Sequence, residues 1–330
     1  MKLRNVVWIS VLGLTASLWS LTALRAAAVP LKVAAWNIEH LRALDNSGPN
    51  PREEDDYQRL ATYAEDLDAD IIALQEVDGE VAAARIFDEG EYDFFFSNRE
   101  DPMLTGFAVR RGIEVVQNPD LVALDVDGRG NLRHGTDITV TYNGREIRFL
   151  SLHLKSFCFD NPLDTSSSAC RTLKQQLPVL EEWIDTQANA DLPFMVLGDF
   201  NRRMNLVGDE FWLEIDDAEP ANADLTNSTE GLLSDCWNGQ FPNYIDHIVS
   251  DLISSQWLVP NSFQQLLFTE PISQQESLSD HCPIAVTLDV PDSNDNGSTL
   301  SETQQRLLER IEAIEQELRE LKEIIRDLEE

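Results

Sequence analysis

The chain has 330 residues, of which 25 are Lys or Arg and 59 are Asp or Glu, giving a formal net charge of −34. At 42% hydrophobic and 8% aromatic it can bury a core, which excludes a disordered acidic tail, and only 15 Gly and 14 Pro exclude a collagen-like or linker-dominated chain. A protein that gripped duplex nucleic acid through a broad phosphate-neutralising face would be rich in Lys and Arg, so that class is excluded too; chemistry on a phosphate ester stays open where a metal cation supplies the positive charge.

Residues 1–28 place Lys2 and Arg4 before an apolar run from Val6 to Leu24, followed by Arg25 and three alanines ahead of Val29-Pro30. This layout predicts a cleaved export signal with the cut after Ala28, no stable membrane span thereafter, and a secreted or periplasmic protein. An uncleaved anchor is the alternative, because about 19 apolar residues approach the length that crosses a bilayer.

Residues 29–290 form the globular body and carry about −30 of the charge. Leu31 to Ile38 reads as a strand, Glu53 to Leu67 as a helix with Leu60, Ala64 and Leu67 on one face, and Asp70 to Val77 as a buried strand. Further strands are expected at Phe94–Ser97, Gly106–Arg110, Asp137–Tyr142, Arg145–Leu154, Pro193–Gly198, Tyr244–Val249 and Ile284–Leu288, with a helix at Arg171–Gln187. Mixed strands and helices imply a layered α/β body.

Residues 291–300 are a polar linker without apolar periodicity. From Ser301 to Glu330 there is no Gly or Pro, and Leu307, Ile311, Ile314, Leu318, Leu321, Ile325 and Leu328 recur at spacings of four and three. That is a coiled-coil helix of just over three heptads, and an isolated helix of this length needs a partner. A homo-oligomer through residues 301–330 is the preferred reading; packing back on the body and a lone solvated helix are the alternatives.

Cys158, Cys170, Cys236 and Cys282 fit an exported protein with up to two disulfides, and their spacing excludes a paired C-x-x-C zinc site. Cys158–Cys170 is the expected bridge, stapling the polar loop Phe159 to Ala169. Cys236 with Cys282 is the weaker pairing, since Cys282 could equally be a small buried residue behind a strand.

Several apolar strands run straight into a polar side chain: Asn37, Glu76, His153 and Asp199. Two Asp-His pairs accompany them, Asp246-His247 within one strand and so on opposite faces, and Asp280-His281 ahead of another. Carboxyl ends of strands are where α/β sheets build sites. Singly, each such residue is more often a turn or surface group. Together they offer carboxylates, amides and imidazoles with no nucleophilic Ser or Cys, and hard oxygen donors suit Mg2+, Mn2+ or Ca2+ over zinc. This set of groups suits metal-assisted hydrolysis of phosphoesters by water.

The segments Trp36-Asn-Ile-Glu, Leu74-Gln-Glu-Val, Ser151-Leu-His-Leu-Lys-Ser, Gly198-Asp-Phe-Asn, Tyr244-Ile-Asp-His and Ser279-Asp-His-Cys-Pro resemble, in order, the signatures of the endonuclease/exonuclease/phosphatase superfamily, which includes pancreatic-type deoxyribonucleases and abasic-site endonucleases. The resemblance spans residues 31–289. It implies an α/β four-layer sandwich of two packed mixed β-sheets flanked by helices, with the site at one edge. It further implies Asn37, Glu39, Glu76 and Asp280 as metal residues, with Mg2+ as the expected ion. His281 would sit at the scissile phosphate, held by Asp246, and His153 would contact the phosphate as well. Asp199 would orient or deprotonate the attacking water, Asn201 would donate to a phosphoryl oxygen, and Arg133 would grip phosphate.

The implied activity is that of a nuclease acting on nucleic acid. A phosphatase or phospholipid phosphodiesterase is the second reading, and an inactive surface-binding module assembled by the coiled coil the third. Two departures from the pattern stand out. Asp78 follows the Gln-Glu-Val signature where pancreatic-type deoxyribonucleases have a basic residue, and Leu104-Thr-Gly-Phe offers no carboxylate to support His153.

Overall fold

The computed structural model describes residues 30–220 and 223–293. The expected export signal, most of the expected linker and the heptad segment 301–330 lie outside the described residues. The described chain forms β1 (Leu31–Leu41), α1 (Glu54–Leu67), β2 (Ile71–Val77), α2 (Gly79–Ala83), β3 (Tyr92–Phe96), β4 (Leu104–Arg110), β5 (Glu114–Gln117), β6 (Thr136–Tyr142), β7 (Arg145–His153), α3 (Ser168–Asn189), β8 (Phe194–Asp199), α4 (Glu210–Ile215), β9 (Thr226–Asn227), β10 (Asp246–Ser250), β11 (Gln264–Gln265) and β12 (Ile284–Leu288), with a few single helical turns between them.

The opening β-α-β unit follows from its residue pattern. In β1, Leu31, Val33 and Ala35 face one apolar cluster while Ala34, Trp36 and Ile38 face another, the period of two that a strand buried on both sides requires. Tyr57, Leu60, Ala64 and Leu67 form the buried stripe of α1. Asp56 closes its first turn by accepting the Glu53 N–H at 2.8 Å, and Asp68 ends it in the left-handed region at φ 40°.

The strands make two six-stranded mixed sheets, in the orders β11-β12-β1-β2-β4-β3 and β5-β6-β7-β8-β10-β9. Each sheet is built on a single parallel pair, β1 with β2 and β7 with β8, joined by α1 and α3 as crossovers. Val33, Phe107, Phe149, Leu197, Ile248 and Val286 belong to the apolar layer between the sheets. Helices α1 and α2 cover the outer face of the first sheet through Trp36, Leu60 and Ala82, and α3 and α4 cover the second through Leu173, Leu180 and Phe211. Full burial of such side chains contributes about 1.5–3 kcal/mol each. This is the expected four-layer sandwich.

The expected elements are present, and the differences lie at their ends and in the short strands. Helix α3 begins at Ser168, ahead of the expected Arg171, because Ser167 caps it, its hydroxyl accepting the Cys170 N–H at 3.4 Å. Strands β5, β9 and β11 are four, two and two residues long and partly polar, too short for alternation to reveal. Among the described residues no helix is long and apolar enough to cross a membrane.

Both disulfides form. Cys158–Cys170 ties the loop after β7 to the first turn of α3, and Cys236–Cys282 spans 46 residues to join the segment before β10 to the entry of β12. Two bridges and no free cysteine among the described residues accord with an oxidising compartment.

Candidate active site

At the carboxyl ends of the two parallel pairs, backbone departures from regular strand geometry bring the polar residues together. Strict alternation would put Glu76 on the same face as Ile72 and Leu74, under the helices. Instead the β2–β4 register shifts between Gln75 and Val77, and Glu76 takes a left-handed φ of 59°. That re-aims its carboxylate between the sheets, where Oε1 lies 3.4 Å from Asn37 Nδ2 and 3.7 Å from His153 Nε2. Glu39 and His40, at the irregular end of β1, have φ of 36° and 55°, and Asn201 has 51°. Such conformations cost on the order of 1–3 kcal/mol each and cluster where a fold positions functional groups.

In the second sheet, cross-strand register does the same work. His153 pairs with Asp199 across β7–β8, and Asp199 pairs with Asp246 across β8–β10, so three polar residues stand in one row. Gly198 makes that approach possible: a Cβ there would lie 2.3 Å from the Leu152 carbonyl oxygen and 2.7 Å from Gln75 Nε2. The sheets are tied just behind this row, where Gln75 Nε2 donates to Ser151 Oγ at 3.0 Å and Ser151 Oγ donates to the Leu74 carbonyl at 3.1 Å.

Asp199 is the hub. Its Oδ2 accepts from Asn37 Nδ2 at 3.1 Å and Asn201 Nδ2 at 2.9 Å, and its Oδ1 accepts the Asn201 N–H at 2.8 Å. The Nε2 atoms of His153 and His281 converge on the same Oδ2, at 3.5 and 3.8 Å. His281 Nδ1 lies 2.7 Å from Asp246 Oδ2, while its Nε2 is 3.7 Å from Asp280 Oδ1. Asp280 is also tied from behind, its N–H donating to Glu39 Oε2 at 3.0 Å. The ten residues expected from the sequence thus fall into one constellation, with Asp280 at the exposed rim. Arg133 stands at its edge, 3.5 Å from Met103 Sδ; burial lowers its pKa, and Glu76 and Asp199 act against that to favour the charged guanidinium.

Electrostatics separates the two histidines. Burial opposes a charge on His281, but Asp246 and Asp199 outweigh it and hold its pKa well above the usual imidazole value. Burial holds His153 well below that value, and Arg133 adds to the effect. Burial also pushes Glu39 up to about 7, with Asp280 adding to it. His153 Nδ1 is buried without a hydrogen-bond partner. This matches the missing carboxylate on β4, where Thr105 Oγ1 instead lies 2.8 Å from Thr136 Oγ1.

The donor set fits a divalent cation. Glu39, Glu76 and Asp280 bring hard carboxylate oxygens to one end of the sheets, and the Glu76 carboxylate makes only long contacts, 3.2 Å from the His40 backbone nitrogen and 3.6 Å from His40 Nε2. Asn37 turns its amide nitrogen to the carboxylates and its Oδ1 to the Glu39 N–H at 3.0 Å, so it would reach a cation through its oxygen only with the amide reversed. Asp199, Asp246 and His281 also bring ligand atoms within 4.8 Å of one another. Asp246 and His281, however, already hold each other at 2.7 Å, and Asp199 already accepts from Asn37 and Asn201, which makes Glu76 the better anchor for an ion.

Two residues of the site carry no motif in the sequence. Arg52 is fully buried and donates from Nη2 to the carbonyls of Ile38, Glu39 and Leu278 at 3.0, 2.8 and 2.5 Å, and from Nε to Ser277 at 2.8 Å. It clamps the Asp280–His281 loop to the end of β1. His40, one residue past Glu39, faces Glu76; its place at the end of the first strand was the available signal.

His247, on the opposite face of β10 from Asp246, is structural: its ring lies 2.5 Å from Thr229 Oγ1 and 2.8 Å from the Arg202 carbonyl. Burial pushes its pKa down from 6.5 to about 4. Its neutral form therefore belongs to the fold, and its contribution is complete above about 6.5 and is lost as pH falls toward about 4. The loss is on the order of 3 kcal/mol. Urea unfolding of His247→Gln at pH 7 and pH 4 should show a correspondingly smaller pH difference than the parent; an equal difference would contradict this assignment.

Residues 34–281 match the endonuclease/exonuclease/phosphatase family. The chain belongs to this family. Among solved structures it is similar to a humanized D. rerio TDP2, with a TM-score of 0.56 and 18% identity, covering 79% of this chain and 99% of that one. It is also similar to the Neisseria 3' phosphatase NExo bound to product DNA hairpin, with a TM-score of 0.52 and 17% identity over 79% of this chain and 100% of that one. A Bacteroides vulgatus member of the family gives 0.51 and 15%, over 80% and 100%. No curated protein matches the chain. Family membership makes the site that of a phosphoesterase, and the low identities speak to the fold alone.

Proposed function

We propose that this phosphoesterase is an exported, divalent-metal-dependent nuclease that cleaves phosphodiester bonds with water as the nucleophile. The observation that carries the reading is the convergence of His153 Nε2 and His281 Nε2 on Asp199 Oδ2, at 3.5 and 3.8 Å, in a site whose histidines differ in charge. Two imidazoles facing one carboxylate frame the space where a phosphoryl group and a water can meet. Water is the nucleophile because the nearby hydroxyls of Ser151 and Ser279 are spent on the Leu74 and Asn37 carbonyls, and the described cysteines are all bridged.

In this reading Asp199, fixed by three hydrogen bonds, orients the water and takes its proton. His281, kept cationic by Asp246, faces the oxygens on which negative charge develops. Asn201 holds Asp199 and presents its amide beside the phosphoryl site. His153, held neutral, donates a hydrogen bond without adding charge, and Arg133 steadies a non-bridging oxygen. Glu76, Glu39 and Asp280 would hold a Mg2+ ion, or Mn2+ or Ca2+ in its place, which would supply Lewis acidity and offset the acidic surroundings. Export is supported by the two disulfides and by the apolar segment at residues 6–24. The DNA product held by the similar Neisseria enzyme favours nucleic acid over other esters.

The test is the full chain with Mg2+, Mn2+ or Ca2+ against single-stranded DNA, plasmid DNA, RNA, sphingomyelin and phosphomonoesters. Turnover of another ester with no cleavage of either nucleic acid would overturn the nuclease assignment. The body charge of about −30 leaves room for few phosphate contacts, so activity on DNA should hold or rise up to about 0.2 M salt. A steep fall over that range would mean extensive phosphate contacts and contradict the reading.

A further inference from the structure

We propose that His40 is a nitrogen ligand of the divalent ion anchored on Glu76, and that its imidazole makes the site select Mn2+ over Mg2+ and Ca2+. The proposal rests on the metal-dependent reading above and narrows the choice of ion which that reading leaves open.

The backbone sets up the alignment. The β1–β2 register breaks between Asn37 and Leu41, and His40 takes a left-handed φ of 55° beside Glu39 at 36°. A histidine in that region is strained by about 1–3 kcal/mol, so the conformation persists only because the surroundings enforce it. What it achieves is a double approach to one oxygen. The His40 N–H donates to Glu76 Oε2 at 3.2 Å, and the ring of the same residue brings Nε2 to 3.6 Å from that atom. Donors that share one small divalent ion, at bonds of about 2.0–2.2 Å, stand about 2.8–3.6 Å apart. His40 Nε2 and Glu76 Oε2 have that spacing.

The fold itself makes no use of the ring. Among the described residues neither nitrogen makes a hydrogen bond: Nδ1 is buried without a partner, and 3.6 Å is too long for Nε2 to donate to Glu76. His247 shows the structural alternative, with one nitrogen at Thr229 Oγ1 and the other at the Arg202 carbonyl. An imidazole on a strained backbone, with no hydrogen bond to hold it, is placed for a group other than the protein's own. Two imidazoles reach Glu76, and they differ. His153 Nε2 meets Oε1 at 3.7 Å and is shared with Asp199 at 3.5 Å, whereas Glu76 is the only carboxylate that His40 meets among the described residues. His153 therefore belongs to the reacting row and His40 to the anchor.

Donor chemistry then selects the ion. A body charge of about −30 gathers hard divalent cations of every kind, and the carboxylates of Glu39, Glu76 and Asp280 accept them all. A nitrogen donor discriminates by type. Mg2+ and Ca2+ are bound through oxygen, while Mn2+ begins the first-row series that binds imidazole as well as carboxylate. Charge thus collects ions at this end of the sheets, and His40 decides which of them stays.

The experiment loads the full chain with Mn2+ and reads it by pulsed electron paramagnetic resonance, in which a histidine nitrogen bonded to the ion modulates the signal and changes when histidine carries the heavy nitrogen isotope. The parent should show this nitrogen, His40→Asn should lose it, and His153→Gln should keep it. Asparagine accepts the left-handed backbone and is too short to put a donor where Nε2 lies, so His40→Asn should unfold at the parent's temperature. Titration calorimetry should show the parent binding Mn2+ more tightly than Mg2+ or Ca2+ by roughly 10-fold or more. His40→Asn should weaken Mn2+ by about 10- to 100-fold and Ca2+ by less than about threefold. A labelled parent without the nitrogen signal, or a signal that survives in His40→Asn, would overturn the proposal. Equal weakening of Mn2+ and Ca2+ would overturn it too, since His40 would then only position Glu76. Tight binding of all three ions with no nitrogen signal would remove His40 and leave the metal-dependent reading standing; no binding of any divalent ion would remove both.

Discussion

His281→Gln should lower kcat/KM on a phosphodiester by about 10²- to 10⁴-fold, the range expected when a positioned acid or charge-stabilising group is removed. Glutamine keeps a hydrogen bond to Asp246 but cannot carry the proton that Asp246 and Asp199 hold on the imidazole. The loss should appear in kcat more than in KM, since the charge it faces develops as the bond breaks. Steady-state kinetics on a single-stranded oligonucleotide checks this, with thermal unfolding as a control for folding. A variant retaining more than a tenth of the parent kcat would remove His281 from the chemistry.

Asp199→Asn should be as damaging, by about 10³-fold, for a different reason. Asparagine keeps an acceptor for the Asn201 N–H but cannot take a proton from water, and it presents no negative charge to His153 and His281. Burial pushes the Asp199 carboxyl up to about 7, so the ionised form is disfavoured by the fold. The sign follows from linkage: an acid whose folded pKa is raised loses stabilising influence as pH rises through the folded value. At pH 8 with chelator present, Asp199→Asn should therefore unfold at the same temperature as the parent or higher, while being nearly inactive. A lower unfolding temperature would mean that the carboxylate holds the sheets together and does not primarily serve the reaction.

Much of this architecture was legible because strand alternation and strand-end polarity are local properties. The first β-α-β unit, the strand ends bearing Asn37, His153 and Asp199, and the opposite faces of Asp246 and His247 are all written within a few residues of each other. What could not be read depends on distant partners. Alternation places Glu76 under the helices, and only the bulge against β4 re-aims it. Arg52 looks like an ordinary helix-start residue because its acceptors include carbonyls 225 and 226 residues away. Sequence put Asp246 and His247 on different faces but not which face met the site; that was decided by the pairing of Asp246 with Asp199. The Cys236–Cys282 bridge was ambiguous for the same reason, since its two ends meet only after β10 and β12 have joined different sheets.

The tie from Gln75 to Ser151 and the close pass at Gly198 place the reactive row at the seam between the two sheets. One sheet contributes Asn37 and Glu76, the other His153, Asp199 and Asp246, and His281 lies on the lead-in to β12. Neither sheet holds a working half. The site is thus complete only when both sheets are packed together. On the proposed reading of an exported nuclease, a chain that crossed the membrane unfolded would be inert toward nucleic acid until it folded outside.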